Sequence, residues 1–255
     1  MNAVRSVWPP SPGGSGGNPA LSDADLERIY GYPAGSPKPF VQVNFVASAD
    51  GSVAVDELSA GLSHPADRRV FLLARDLADV ILVGAGTAIA EGYRGARTNP
   101  VRTARRARLG RSPVPPIAVV TRTGALDPAA PLFTDTRVPP IVITTARAGT
   151  AALTRAGAEV LVAGEDDVDL ARALTLLAER GLSRVDCEGG PVLFGSLAAA
   201  GLVDQLCLTV APILTGGGAG RIAAGPPLVP PQPLDLASIL VEDGYTLLRY
   251  RRGGD

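Results

Sequence analysis

Short apolar runs alternate with helical patterns through the middle of this chain, and few folds accommodate that order. The runs fall at residues 40–47, 80–83, 117–121, 141–144, 159–162 and 184–187. The helical patterns fall at residues 65–78, 150–156, 168–180 and 191–200. Apolar runs that lack an alternating polar face are typical of strands buried on both sides. Because such strands alternate with helices, we predict an α/β fold with a mostly parallel central sheet and helices on both faces.

The pattern changes on either side of this region. Beyond residue 204, strand patterns at residues 205–211 and 245–251 enclose a proline-rich stretch at residues 226–233. Two strands joined without a helix predict an antiparallel C-terminal edge of the sheet. Near the N-terminus, Ser22 and Asp25 have the spacing of a capping box, which predicts a short helix through Tyr30.

The N-terminal segment differs in composition from the rest of the chain. Residues 6–19 are rich in proline and glycine and contain too few apolar residues to offset the ordering of the chain. We therefore expect residues 1–20 to form a disordered arm and residues 21–255 to form a single domain. A chain of 255 residues with 46% hydrophobic content can bury one core of that size.

Charge and cysteine content argue against several functions. The chain has 24 lysine and arginine residues against 25 aspartate and glutamate residues, so its overall field does not favour nucleic acid or anionic membranes. No apolar run approaches the roughly 20 residues of a membrane span, and no signal pattern is present, so we expect a cytoplasmic protein. Cys187 and Cys207 have no CxxC spacing, and His64 is the single histidine. We expect neither a metal site nor a disulfide.

Two local features have a structural and a functional interpretation. The first is a basic stretch that contains Arg102, Arg105, Arg106, Arg108 and Arg111. Since it has no interleaved aromatic residues and ends in prolines, we predict a solvated or mobile loop rather than an RNA-binding surface. The second is His64, for which a place beside a helix N-cap is a simpler explanation than catalysis.

Two glycine-containing segments follow predicted strands and precede predicted helices. The first glycine turn reads Gly84-Ala85-Gly86-Thr87, and the second glycine turn reads Glu188-Gly189-Gly190-Pro191. Glycine lets the backbone approach a phosphate, and a helix N-terminus offers unpaired N–H groups to an anion. Two such turns on one sheet predict a dinucleotide site. The second glycine turn has an ordinary tight turn as its alternative. At the first glycine turn, Ile89 leaves the GxGxxG pattern incomplete, and the alternative role of Thr87 is a helix cap.

Further motifs join these turns in an ordered set. They are the Ser-x-Asp-Gly sequence at residues 48–51 and the Leu-Val-Asp-Gln-Leu sequence at residues 202–206, which precedes Ala211-Pro212. With these motifs, residues 39–251 resemble the reductase domain of the riboflavin-biosynthesis deaminase-reductase family, which shares the dihydrofolate reductase fold. The zinc deaminase half of that family, with its His-x-Glu and Cys-x-x-Cys signatures, has no counterpart in this sequence. The resemblance therefore implies a stand-alone reductase domain.

The resemblance also implies a cofactor and a quaternary structure. Hydride would come from NADPH, bound over the carboxyl ends of the central strands, and the protein would be a homodimer. Arg122 ends a predicted strand where the family presents a group to the ribose 2′-phosphate, which an arginine can bind; a solvated strand-end charge is the alternative. The cofactor residues implied are Val46, Gly61, Gly84, Gly86, Thr87, Glu91, Arg122, Gly189, Gly190, Pro191, Val192, Leu193 and Phe194.

On the substrate side, the resemblance implies a phosphoribosylaminopyrimidine site formed by Asn44, Ser59, Asp67, Arg75, Arg97 and Glu188. Arg75 and Arg97 would pair with the substrate phosphate, because arginine offers planar bidentate donors. Asp67 departs from the riboflavin reductases and looks like the acid in the Pro-Ala-Asp of dihydrofolate reductases, where a carboxylate binds the pterin edge and assists protonation. We therefore predict a catalytic role for Asp67. Each acid and arginine also has a structural alternative: Asp67 and Glu188 as first-turn acids that stabilise a helix dipole, and Arg75 as a helix-surface ion-pair partner.

Three functions follow from this set of residues. The first is reduction of a phosphoribosylaminouracil-type pyrimidine in riboflavin biosynthesis, which needs a phosphate clamp. The second is dihydrofolate reduction, alone or in addition, through Asp67. The third is a nucleotide-binding regulatory module without turnover, because no indispensable acid-base pair is evident from the sequence.

Overall fold

The computed structural model describes residues 3–9, 20–36, 38–218 and 220–253. Its strands are β1 Arg5–Trp8, β2 Phe40–Ser48, β3 Val80–Gly84, β4 Ile117–Val120, β5 Ile141–Thr144, β6 Glu159–Val162, β7 Arg184–Cys187, β8 Gln205–Ala211, β9 Leu234–Glu242 and β10 Tyr245–Arg252. Its helices are α1 Asp23–Tyr30, α2 Pro65–Leu77, α3 Ala85–Ala90, α4 Pro100–Arg108, α5 Pro131–Thr134, α6 Ala151–Arg155, α7 Leu170–Ala178 and α8 Pro191–Ala199, with a 3₁₀ turn at Ser59–Leu62.

The strands form one sheet in the order β1-β9-β10-β8-β2-β7-β3-β4-β5-β6. From β8 to β6 every neighbouring pair is parallel. The pairs β8–β10, β10–β9 and β9–β1 are antiparallel. The predicted α/β class, the mostly parallel sheet and the antiparallel C-terminal edge are therefore confirmed.

Helices cover both faces of the sheet. On one face, Leu177 of α7 and Leu197 of α8 share a core with Val41 of β2. On the other face, α1 and α2 pack over the antiparallel edge, and α5 and α6 pack over β3, β4 and β5. Successive residues of a strand point to opposite faces, which explains why continuous apolar runs fill both cores.

The N-terminal segment corrects the predicted arm. Residues 5–8, which fall within the arm expected over residues 1–20, form edge strand β1, with Arg5 opposite Val241 of β9. Val4 is fully buried in the same core as Leu26. The proline and glycine content of the following residues obscured this short strand. Residues 10–19 of the predicted arm lie outside the described residues.

The basic stretch lies in helix α4 from Arg102 to Arg108, with Arg111 just beyond it, so the loop prediction was wrong for most of the stretch. Asn99 caps α4 by accepting from the Arg102 N–H at 3.0 Å, and Pro100 occupies the first turn. Arg102 and Arg105 both bind the buried carboxylate of Asp76 on α2. Their acidic partner lies on another helix, and nothing in the local sequence indicates it.

Arg106 is the most buried member of this stretch, with 1% of its surface exposed. Its guanidinium donates to the carbonyl oxygens of Arg75, Asp76 and Ala78 at 2.7–3.1 Å. These carbonyls lie at the C-terminal end of α2, where a helix lacks its own donors. α4 therefore secures the end of α2.

Candidate active site

A cleft of about 1160 Å³ opens at the carboxyl ends of β2 and β7, beside α2. β2 and β7 are neighbours, but the chain leaves them on opposite faces: α2 follows β2 on one face, and α8 follows β7 on the other. Such a point in an open parallel sheet leaves a crevice between the two connections, and ligands of α/β proteins bind there. The topology therefore places the cleft where a ligand site is expected.

The two glycine turns meet at the rim of this cleft. The Gly84 N–H donates to the Gly189 carbonyl at 2.7 Å, which ties the end of β3 to the residues after β7. Gly189 has φ of +88°, and a Cβ there would lie 2.6 Å from Phe45 Cζ. A Cβ on Gly190 would lie 2.1 Å from Thr87 Oγ1. Gly189 therefore requires glycine because of its positive φ and the Phe45 ring, and a side chain at Gly190 would displace the Thr87 hydroxyl of the first turn.

Glu188 and Arg75 form a bidentate pair on the floor of the cleft. Nε of Arg75 lies 2.5 Å from Oε1 of Glu188, and Nη2 lies 2.7 Å from Oε2. The Tyr93 hydroxyl also donates to Oε2, at 2.6 Å. The side chain of Glu188 is 1% exposed and that of Arg75 is 17% exposed. Attraction to Glu188 raises the pKa of Arg75 against the opposing effect of burial.

Asn44 and Asp186 form a second polar pair on neighbouring strands. Nδ2 of Asn44 donates to Oδ1 of Asp186. Asn44 is half-buried and lines the cleft, whereas Asp186 is fully buried beneath it. Burial raises the pKa of the Asp186 carboxyl well above its usual range, and the negative charge of Glu188 raises it further.

Asp67 lies in the first turn of α2 and lines the same cleft. The Ser63 hydroxyl donates to its Oδ2 at 2.6 Å. Burial raises the pKa of Asp67, and hydrogen bonds from the side chains of Ser63 and Thr209 oppose that effect. His64 is itself the N-cap of α2, since its Nδ1 accepts from the Ala66 N–H at 3.2 Å. The prediction placed His64 beside the N-cap, and the structure makes it the cap itself.

The structure joins Ser59, which the resemblance assigned to substrate, with Glu91, which it assigned to cofactor. The Ser59 N–H donates to Oε1 of Glu91 at 3.0 Å. Both residues line the cleft, so this contact links the 3₁₀ turn to the end of α3. Arg97 lies at the exposed rim of the cleft, where it shares the Asp135 carboxylate with Arg94.

Several predicted cofactor residues lie away from the cleft surface. Arg122 follows β4, and its side chain is 69% exposed, with its Nε 3.8 Å from Oδ1 of the exposed Asp167. Gly61 packs against Val55, and Val192 is 69% exposed on α8. The other predicted cofactor residues that are absent from the cleft lining are Gly84, Gly86, Gly189, Leu193 and Phe194. The roles of these residues stay predictions.

Sequence reasoning missed Tyr93, Asp186, Arg94 and a second cavity. That cavity, of about 600 Å³, is lined in part by Asp50 and by residues 216–218. Asp50 accepts from the Ser48 hydroxyl and from backbone N–H groups of Thr215 and Gly216, and these hydrogen bonds hold its pKa far below the usual range. Tyr93 and Asp186 carried no local signal, because their partners are remote in sequence.

In the described part of the chain, no helix combines the length and apolar character needed to cross a membrane. No three acidic, histidine or cysteine side chains among those residues are grouped closely enough to hold a metal ion.

A mostly parallel sheet with a polar cleft at the carboxyl ends of neighbouring strands, bordered by two glycine turns, defines an α/β protein with a ligand-sized site at that edge of the sheet. The chain belongs to the RibD C-terminal domain family, whose sequence model matches residues 39–243. The predicted family resemblance is thereby confirmed.

Curated relatives agree with this assignment. The chain is 32% identical over 183 residues to the 2,5-diamino-6-ribosylamino-4(3H)-pyrimidinone 5′-phosphate reductase of Archaeoglobus fulgidus, which covers 71% of this chain and 83% of the relative. It is 33% identical over 198 residues to the riboflavin biosynthesis protein RibD of Bacillus amyloliquefaciens, in a match that covers 76% of this chain and 51% of the relative. Among solved structures, a pyrimidine reductase-like protein from Corynebacterium diphtheriae has a TM-score of 0.78 at 24% identity, covering 90% of this chain and 99% of that chain. This similarity concerns the fold.

Proposed function

We propose that this chain is a cytoplasmic, NADPH-dependent reductase of a phosphoribosylaminopyrimidine in riboflavin biosynthesis. The observation that carries the proposal is one cleft that joins two interlocked glycine turns to a floor of polar groups, Asn44 and the Glu188–Arg75 pair. The relatives from Archaeoglobus and Methanothermobacter are both named as reductases of a ribosylaminopyrimidinone phosphate. Membership of a reductase family favours turnover over a purely regulatory module.

The residues at the glycine turns fit a dinucleotide. Because Gly190 has no side chain, its backbone lies open beside Thr87. Helix α8 begins at this residue, and the N–H groups of its first turn have no partner within the helix. Thr87, Gly190 and the first turn of α8 would hold the pyrophosphate, and Arg122 would bind the 2′-phosphate. The reduced nicotinamide supplies the hydride, and the protein supplies binding and orientation.

The substrate would lie along α2. Its pyrimidine ring would meet Asn44 and Glu188, whose carboxylate retains one acceptor position after three hydrogen bonds. Its phosphate would lie toward the rim, where Arg68, Arg94 and Arg97 line the cleft. Arginine suits this task because its planar guanidinium binds phosphate with two parallel hydrogen bonds.

Asp67 favours a second candidate, reduction of a pteridine such as dihydrofolate. The acid lines the cleft at the start of α2, and its raised pKa favours retention of a proton. A carboxylate binds the amino edge of a pterin through its two acceptor oxygens, and a carboxyl group with a raised pKa can also pass a proton toward the ring. We expect Asp67→Asn to retain NADPH binding and to lose most turnover of dihydrofolate.

Loss of NADPH absorbance at about 340 nm, with each substrate in turn, distinguishes these functions. We expect rapid oxidation with the phosphoribosylaminopyrimidine, and slower oxidation with dihydrofolate that depends on Asp67. Turnover of dihydrofolate alone would reverse the order of the two candidates. If the protein binds NADPH by calorimetry and oxidises it with neither substrate, both proposals are wrong.

A further inference from the structure

Asp186 is a buried acid that the proposed chemistry does not use. It is fully buried, and among the described residues its Oδ1 accepts from Asn44 while its Oδ2 has no hydrogen-bond partner. Burying a polar atom without a partner costs stability, and burying an ionisable group costs more. The hydrogen bond to Asn44 is therefore the contribution of Asp186 that could offset this cost.

The position of Asp186 in the sheet connects it to the cleft floor. It pairs in register with Gln42 of β2 on one side and Ile81 of β3 on the other. Asn44 lies two residues beyond Gln42 and Glu188 lies two residues beyond Asp186, so all four polar side chains face α2. Asp186 therefore lies directly beneath Asn44 and Glu188 and does not touch the cleft itself.

The amide of Asn44 is held at one end only. Its Nδ2 donates to Asp186, whereas its Oδ1 has no partner among the described residues and is not one of the buried unpartnered atoms. Because Asn44 lines the cleft, that carbonyl oxygen is available to a ligand there. An asparagine without such a restraint can present either its donor or its acceptor end.

We infer that Asp186 is a positioning residue, which holds the Asn44 amide with its carbonyl oxygen toward the cleft. This inference rests on the proposed pyrimidine substrate. Asn44 then accepts a hydrogen bond from an N–H or amino group of the ring and discriminates against a ring that offers an acceptor there. A neutral carboxyl suffices for this role, because its carbonyl oxygen still accepts from Nδ2. The raised pKa of Asp186 is consistent with that neutral form.

Two variants separate positioning from packing. Asp186→Leu has a similar volume and removes both the buried polar atoms and the acceptor for Asn44. It should keep or raise the melting temperature, since a buried acid with one unpartnered oxygen becomes an apolar core residue. KM for the pyrimidine should rise about tenfold, and kcat should change less than about threefold. Asp186→Asn retains an acceptor for Nδ2, so KM should stay within about threefold of the wild-type value.

The matched control is Gln42→Leu. Gln42 is the buried register partner of Asp186 on β2 and binds Gln205 rather than Asn44. Its replacement should leave KM unchanged. Equal KM values for Asp186→Leu and the wild type would overturn the inference. It would also be overturned if both Asp186 variants melted at a lower temperature and showed the same rise in KM, since packing alone would then explain the result.

A second readout keeps this test separate from the proposed function. The side-chain amide of Asn44, observed by ¹⁵N correlation spectroscopy without substrate and assigned by its loss in Asn44→Leu, should shift in Asp186→Leu and not in Gln42→Leu. If the wild type reduces no pyrimidine, the proposed function is wrong, and the amide spectrum alone then decides whether Asp186 orients Asn44. An unshifted resonance refutes that orientation.

Discussion

At the scale of single residues, the pair formed by Glu188 and Arg75 sets the electrostatics of the cleft. Two nitrogens of one guanidinium and the Tyr93 hydroxyl converge on a carboxylate that is 1% exposed. A carboxylate this deeply buried is tolerated only when charge and hydrogen bonds offset its lost hydration. Arg75 is further confined above the Phe71 ring, 4.6 Å from its centroid.

Arg75→Lys tests the fork geometry. Lysine keeps the charge but provides no second parallel hydrogen bond, so we expect a loss of about 1.5–3 kcal/mol in the free energy of unfolding and a higher KM for the pyrimidine. Urea unfolding and the NADPH assay measure the two effects. Arg69→Lys on the same helix is the control, because its pair with Asp23 is exposed and should contribute less than about 1 kcal/mol. Equal effects of the two substitutions would show that the fork is unimportant.

Arg122 tests the preference for NADPH over NADH. If this exposed strand-end arginine binds the 2′-phosphate, Arg122→Ala should weaken NADPH binding by about 1.5–3 kcal/mol and leave NADH binding unchanged. Arg147→Ala, which removes an equally exposed arginine paired with Asp166, is the control. Calorimetry with both dinucleotides gives the answer, and equal losses for the two cofactors would reject the assignment.

Asp67 should make stability depend on pH in a defined direction. Its pKa is raised in the folded state, so folding favours the protonated form. This contribution is complete below the unfolded pKa of about 3.9 and is lost as the pH rises through the higher folded value. Relative to the wild type, Asp67→Asn should therefore gain stability at neutral pH, and the gain should shrink toward pH 3. Urea unfolding at several pH values checks this, and a gain that grows on acidification would contradict it.

At the scale of secondary-structure elements, α2 carries much of the site, and the elements around it determine where it lies. Its N-terminus is capped by His64, whose ring stacks on Tyr245 of β10 at a centroid distance of 4.3 Å. Its C-terminal carbonyls are satisfied by Arg106 of α4. Because both ends are held, Asp67 in the first turn and Arg75 in the last turn keep their places in the cleft.

Arg106→Met tests the contribution of α4. Methionine can fill the space of the arginine stem but leaves three buried carbonyls without this donor, so we expect a loss of about 2–4 kcal/mol in the free energy of unfolding. Arg108→Met lies two residues further along α4 at a side chain that is 60% exposed, and it should cost less than about 1 kcal/mol. Chemical denaturation compares the two. A small loss for Arg106→Met would mean that water or backbone adjustment satisfies the end of α2.

At the scale of the whole molecule, the antiparallel side of the sheet ends in a partly apolar edge. Val7 and Trp8 of β1 are each 46% exposed, and Leu234 and Leu236 of β9 are also exposed. Among the described residues, β1 pairs with β9 on one side and forms only an isolated bridge, from Arg5 to Ala20, on the other. Exposed apolar side chains at such an edge favour association with another protein surface. The homodimer that the family resemblance implied would cover such a surface.

Sedimentation equilibrium tests the homodimer. We expect a mass near twice that of the 26.0 kDa chain at micromolar concentration. Replacement of Val7 and Trp8 by lysine should shift the equilibrium toward monomer if β1 is at the interface, because a buried charge without a partner opposes association. A monomer at every concentration for the unsubstituted protein would refute the dimer.

Much of the architecture was predictable because its causes are local. Apolar runs, the Ser22 capping box and the glycine pair act within a few residues, and they predicted strands β2 to β8 and β10, most of the helices, the fold class and both glycine turns. Strand β9 and helix α5 were not predicted. Family membership rested on the same short motifs. The weakest local signals were the ones misjudged: β1 was hidden by adjacent proline and glycine, and α4 by the charge of its arginines.

Only the tertiary structure decided which polar groups meet. Glu188 lies 113 residues from Arg75 and 95 from Tyr93, and Asp186 lies 142 residues from Asn44. Such pairs are set by strand order and by which face each connection crosses, and neither leaves a trace in neighbouring residues. The sequence therefore supplied candidates for the site but not Tyr93 or Asp186, whereas packing determined the partners of these groups, their burial and the charge state that each one favours.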